Sequence, residues 1–170
     1  MYLIIDLEST CWENSTKHQG ENEIIEMGSV ILNDKFKILG ELQTFVRPVR
    51  NPVLSDFCRK LTSITQSQVD SAPSFPDALS CFQKKVEEIS GQKLSDLVLC
   101  SWGNYDREQL MQDCQYHKIP YPFGSHRSLK HEFAERHRMR PMGMRRALRL
   151  SGIPFKGTKH RAFDDAWNLA

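Results

Sequence analysis

Five side chains in this sequence could do chemistry together, and two of them open the chain. Tyr2 to Ile5 is an unbroken apolar run, followed directly by Asp6 and Glu8. A run without polar alternates reads as a strand covered on both faces. Side chains two apart on a strand point to the same face, so these carboxylates stand side by side at its C-terminal end. Like charges that close repel, and burial raises the cost. A bound cation is the usual way to make such a pair favourable. Taken alone, the stretch also fits a strand that runs out into solvent through acidic residues.

The other three lie far along the chain. Leu97 to Cys100 is a second apolar run; Trp102, Gly103, Asn104 and Tyr105 then lead into Asp106. A helix is expected from about Asp106 to Tyr116, with Leu110, Met111 and Cys114 inward. Asp106 then sits at a helix N-terminus just past the carboxyl end of a strand, where open α/β sheets place ligands. Taken by itself, an aspartate there is more often an ordinary N-cap. Near the C-terminus, a helix beginning near Ala162 puts Ala162, Asp165, Ala166 and Leu169 on one stripe. Asp165 therefore faces inward among small residues, and Asp164 faces out. His160 lies on the loop just before this helix, close to that inward carboxylate. A lone histidine there is usually structural, but its unperturbed pKa of about 6.5 lets it take a proton from water at neutral pH.

The elements that must carry these groups follow from the periodicities. Ser9 to Asn22 reads as a loop, Glu23 to Leu32 as a second strand, and Asn33-Asp34 as a turn. With Ile38 to Val46 as a third strand, the first three form an antiparallel meander. Ser55 to Leu61 and Thr65 to Val69 are short helices with Ser or Thr near their starts. Phe75, Leu79, Phe82, Val86 and Ile89 recur at helical steps between Ser74 and Gly91. A helix there is a crossover that returns Leu97 to Cys100 parallel to the first strand. A short strand near Ser125 and helices over Leu129 to Arg136 and Met142 to Leu150, the latter closed by Gly152, complete the chain. The expected class is α/β, a mixed five-stranded sheet flanked by helices, with residues 1–170 as one domain.

Composition narrows the setting. At 39% hydrophobic and 26% charged residues, the chain is of the soluble globular kind. No apolar run approaches the roughly 20 residues that span a bilayer, so no membrane partner is expected. Met1 falls directly on the buried strand, which leaves no room for a signal peptide and points to the cytoplasm. Five cysteines without a CxxC pair read as reduced thiols. His126, His131 and His137 share no metal-ligand spacing and read as surface residues. From Ser125 to Arg161 eleven Lys or Arg face two acids, a net +9 that leaves −7 for the rest of the chain. A polyanion would be drawn to the C-terminal third, and a cation elsewhere.

Asp-x-Glu on a first strand, Asp106 after a fourth, and His-x4-Asp at the C-terminus together resemble the DEDDh branch of the DnaQ-like 3′–5′ exonucleases, over nearly the whole chain. Leu54-Ser55-Asp56-Phe57-Cys58 and Leu61 to Asp70 are similar to the signature of the Eri-type subgroup, whose members trim RNA 3′ ends. The resemblance implies an RNase H-like fold. It implies Asp6, Glu8, Asp106 and Asp165 as ligands for two Mg2+, replaceable by Mn2+, with Glu8 and His160 catalytic and His160 the general base. Nucleotide contacts are implied at Ser9, Thr10, Phe57, Tyr105 and His160, Phe57 packing on the terminal nucleotide. The implied reaction removes nucleoside 5′-monophosphates from nucleic acid with a 3′ end, RNA favoured over DNA. The accessory RNA-binding module that some Eri-type members carry is not expected. The chain stops at Ala170 within its last helix, where family members usually run on for another turn or two. A single-stranded DNA exonuclease, a phosphodiesterase of short oligonucleotides, and a non-catalytic nucleic-acid-binding module remain the alternatives, and the sequence does not encode an oligomeric state.

Overall fold

In a computed structural model of the chain, which describes residues 1–13 and 22–170, the first three strands form the expected meander. β1 (Tyr2–Ser9) pairs antiparallel with β2 (Ile24–Leu32), and β2 with β3 (Ile38–Phe45). β4 (Val98–Ser101) runs parallel to β1, and β5 (His126–Ser128) parallel to β4. The sheet order is β3-β2-β1-β4-β5, which makes β1 the central strand. This explains its unbroken apolar start, since a central strand is covered on both faces.

On one face Leu3, Ile5 and Leu7 pack in a core with Phe75, Leu79, Phe82 and Val86 of α3 (Phe75–Ser90) and Leu110 of α4 (Tyr105–Tyr116). On the other, Ile4 joins Val30 and Cys100, with Trp167 and Leu169 of α7 (Ala162–Leu169) against them. Asp6 and Glu8 continue the Ile4 face, toward α7. α1 (Asp56–Thr62) and α2 (Gln66–Asp70) follow the meander, and α5 (Leu129–Arg136) and α6 (Met144–Leu150) precede the last loop.

Capping places the helix starts. Ser55 precedes α1 and its hydroxyl accepts the Cys58 N–H at 2.9 Å; Thr65 and Gln68 form a reciprocal capping box on α2. Both helices thus begin one residue later than the periodicity suggests, because the hydroxyl residue is the cap. α3 ends at Gly91, whose φ of +69° suits a residue without Cβ.

Three expectations need correction. Ser9 is not in the loop but ends β1, beyond a bulge between Glu8 and Ser9; residues 14–21 of that loop lie outside the described residues. Met111 is half-exposed, not inward: the buried face of α4 is Asp106, Gln109, Leu110, Asp113 and Cys114. Three polar residues, Asp106, Gln109 and Asp113, share that face because each has a hydrogen-bond partner there. Asp113 accepts the Ile24 N–H at 2.8 Å and a hydrogen bond from the Arg50 guanidinium at 3.3 Å. His126 is half-buried, its Nε2 3.0 Å from the Ser101 hydroxyl, because β5 lies against β4. All five cysteines are free thiols. Among the described residues no helix is long and apolar enough to cross a membrane.

Candidate active site

The site forms where β1 outruns its neighbour. β4 pairs only with Tyr2 to Ile4, so the later part of that β1 edge is left open. Asp106 fills it: its Oδ1 accepts the Leu7 N–H at 3.1 Å, from a buried position. Asp106 is not the cap of α4. Asn104 holds that position, and Asp106 lies in the first turn, where the helix dipole favours a carboxylate.

From the other side comes α7. Ala162, Asp165 and Ala166 are buried, as the helical stripe requires, and Asp164 turns outward to accept the Thr158 N–H at 2.7 Å. The His160 N–H donates to Asp165 Oδ2 at 3.1 Å, across a loop that passes through a left-handed backbone at His160 (φ +55°). Glu8, His160 and Asp165 can each present one ligand atom such that all lie within 4.8 Å of one another.

Asp6 and Asp106 lie near enough to this cluster to feel its charge. Burial lifts the Asp6 carboxyl well above the usual range, and the charges of Asp106, Asp165 and Glu8 add to the lift. Glu8 is pushed up to about 8 by burial, then by Asp165 and Glu26. Asp106 rises to about 6 through burial, opposed by hydrogen bonds from the Ser101 hydroxyl and the Leu7 N–H. Asp165 rises to about 6 through burial, opposed by the His160 N–H. Four buried carboxylates of this kind cannot all ionise near neutrality without added positive charge. All are hard oxygen donors, the set that suits a hard divalent cation. His160 moves the other way, lowered by burial and by Arg145 and Lys159. Its imidazole is therefore neutral near pH 7 and free to accept a proton.

The other sequence candidates divide. Phe57 and Tyr105 are large rings left 39% and 49% exposed. α1 is docked on the end of β1, with the Cys58 thiol 3.7 Å from the Ser9 carbonyl, and this fixes Phe57 beside the strand. Ser9 Oγ lies 2.6 Å from the Tyr105 hydroxyl, tying α4 to β1. Thr10 is turned inward, where its hydroxyl accepts the Glu23 N–H at 3.0 Å.

Glu26 escapes the sequence reading altogether. It is fully buried on β2, directly opposite Glu8 in the ladder, and it raises the proton affinity of Asp6, Glu8 and Asp165. Its one sequence signal is a carboxylate inside a largely apolar strand.

Residues 3–170 match the family profile RNase_T, described as Exonuclease. The chain belongs to this exonuclease family. It is 34% identical over 187 aligned positions to ERI1 exoribonuclease 2 of Homo sapiens, covering 99% of this chain and 27% of that protein. It is 36% identical over 169 positions to the probable 3′-5′ exonuclease KapD of Bacillus subtilis (strain 168), covering 96% and 78% of the two chains. The nuclease domain of 3′hExo, a DEDDh family member solved bound to rAMP, superposes with a TM-score of 0.90 at 30% identity, over 99% of this chain and 86% of that one. The fold is thus that of the DEDDh nuclease domains, RNase H-like as expected. The chain spans about a quarter of the length of the ERI1 exoribonuclease 2 it matches.

Proposed function

We propose that this RNase_T-family chain is a metal-dependent 3′–5′ exoribonuclease. The observation that carries the reading is the gathering of Asp6, Glu8, Asp106 and Asp165, with His160 at their edge, at the open end of β1. Asp6, Glu8, Asp106 and Asp165 would hold two Mg2+, for which Mn2+ substitutes; bound there, the ions supply charge stabilisation for the attacking and leaving oxygens. His160 accepts the proton of the attacking water as its oxygen bonds to phosphorus. The P–O3′ bond then breaks, the departing O3′ takes a proton from solvent water to leave a 3′ hydroxyl on the shortened strand, and a nucleoside 5′-monophosphate is released. Phe57 and Tyr105 offer ring faces to terminal bases, a contact that tolerates any base. The basic segment from Arg127 to Lys159 attracts the upstream phosphates, a contribution that salt weakens.

RNA is favoured over DNA because the relatives include proteins named exoribonucleases and the superposed nuclease domain was solved with rAMP. The test uses 5′-labelled single-stranded RNA, matched DNA and a dinucleotide, each with Mg2+ and with EDTA. A 3′-shortening ladder on RNA alone, abolished by EDTA, is expected. Shortening of DNA alone, or of the dinucleotide alone, would replace the RNA reading with one of those substrates. Cleavage that survives EDTA would overturn the chemistry.

A further inference from the structure

Glu26 and Arg161 are joined across 135 residues of sequence, and neither is among the acids or the base of the proposed reaction. Arg161 Nε donates to Glu26 Oε2 at 3.2 Å and its Nη2 to Oε1 at 3.1 Å, a forked pairing of guanidinium and carboxylate. The same Oε2 also accepts the Ala162 N–H at 3.1 Å. Gln43 of β3 donates to Oε1, and the guanidinium lies 5.5 Å from the ring centroid of Phe45. Glu26 is fully buried, and the Arg161 side chain is 20% exposed.

The consequence lies at the start of α7. Arg161 is its N-cap residue but provides no side-chain cap, so the first N–H groups of the helix need an outside acceptor. Glu26 supplies one from the neighbouring strand, and with it a negative charge at the positive end of the helix. Two residues on, Gly28 shares the same face of β2, and a Cβ there would meet the Ala162 carbonyl carbon at 2.1 Å. One residue grips the helix start and the other lets it come close. His160 is bonded to the same structure, directly before Arg161, and its backbone N–H reaches Asp165.

We infer that the Glu26–Arg161 pair is a positioning device for the reaction, anchoring the His160 loop and the first turn of α7 so that His160 and Asp165 face Glu8. Neither residue touches substrate; each acts through the groups it holds. The inference deepens the exonuclease reading and rests on it.

Glu26→Gln keeps the side-chain shape and one acceptor but loses the charge and the fork. Arg161→Lys keeps the charge without the planar fork. With RNA and Mg2+, below the melting temperature of every variant, Glu26→Gln and Arg161→Gln should each lower kcat about 10- to 100-fold, as loss of a supporting contact does, with KM within about twofold. Arg161→Lys should fall between these and wild type. The double variant Glu26→Gln/Arg161→Gln should be no slower than the slower single, since both remove one unit. Amide hydrogen exchange, measured without metal or substrate, should quicken at Ala162 and His160 in Glu26→Gln. An active wild type with both singles at wild-type kcat would overturn the positioning role and leave the exonuclease reading intact. Singles that lose thermal stability alone, at unchanged kcat, would overturn it in the same way. A wild type that cuts no substrate would instead overturn the exonuclease reading, and unchanged exchange in Glu26→Gln would remove the anchoring itself.

Discussion

Gly28→Ala adds one methyl group at a place where only backbone can give way. The new Cβ would lie 2.1 Å from the Ala162 carbonyl carbon, 2.1 Å from the Phe163 nitrogen and 2.3 Å from the Ala162 oxygen. Carbon contacts become comfortable at about 3.5 Å, so the start of α7 must retreat by more than roughly 1 Å or β2 must bend by as much. No rotamer relieves the clash, because all three atoms belong to the main chain. Overpacking a tight interface costs about 1–3 kcal/mol, which for a chain of this size lowers Tm by about 2–12 °C. The larger effect falls on chemistry. α7 carries Asp165, and a displacement of about 1 Å in a reacting group can cost 10²-fold. The assay is paired: melting by circular dichroism, and kcat on labelled RNA well below Tm. Gly143→Ala is the control, since a Cβ there meets nothing within 4 Å and its φ of −65° suits alanine. A Gly28→Ala protein with wild-type Tm and kcat would refute the claim that α7 is seated against β2 at this distance.

Three further outcomes follow from the site. Asp165→Asn should lower kcat by more than the roughly 10²-fold of a lost supporting contact, whereas Asp164→Ala should leave it within about threefold; steady-state kinetics decide, and the reverse order would show the phase of α7 to be wrong. His160→Ala should lower kcat about 10²- to 10⁴-fold, the range for a general base, with KM little changed; equal losses in both would remove His160 from that role. Without metal, the raised carboxylates bind protons more tightly folded than unfolded, so they destabilise the fold progressively as pH rises from about 4 through their folded values of about 6 for Asp106 and Asp165 and about 8 for Glu8. Scanning Tm in EDTA from acid to pH 9 should show a decline that Glu8→Gln flattens, and Mg2+ or Mn2+ should restore stability most at the alkaline end, where protons no longer compete. A decline of equal size in Glu8→Gln would sink this account.

Local pattern alone determined a good deal of this protein. The apolar start of β1, the shared face of Asp6 and Glu8, the Ser55 and Thr65 caps, the α3 stripe and the inward turn of Asp165 all depend on a period of two or 3.6 within one element. Such periods can be read along a single line of residues. The ordered acids, from Asp6 through Asp165, also made the exonuclease resemblance legible before any fold was known. Only the tertiary structure decided what meets across distance. Asp106 closes the open edge at Leu7, 99 residues away, because β4 stops short of it. Met111 turns out of the core because Asp113 and Gln109 have partners inside it. Glu26 pairs with Arg161 because Gly28 lets α7 lie flat on β2. No local period encodes such meetings; they arise from how sheet and helices stack, and burial in that stack lifts the proton affinity of the four acids until they call for a cation.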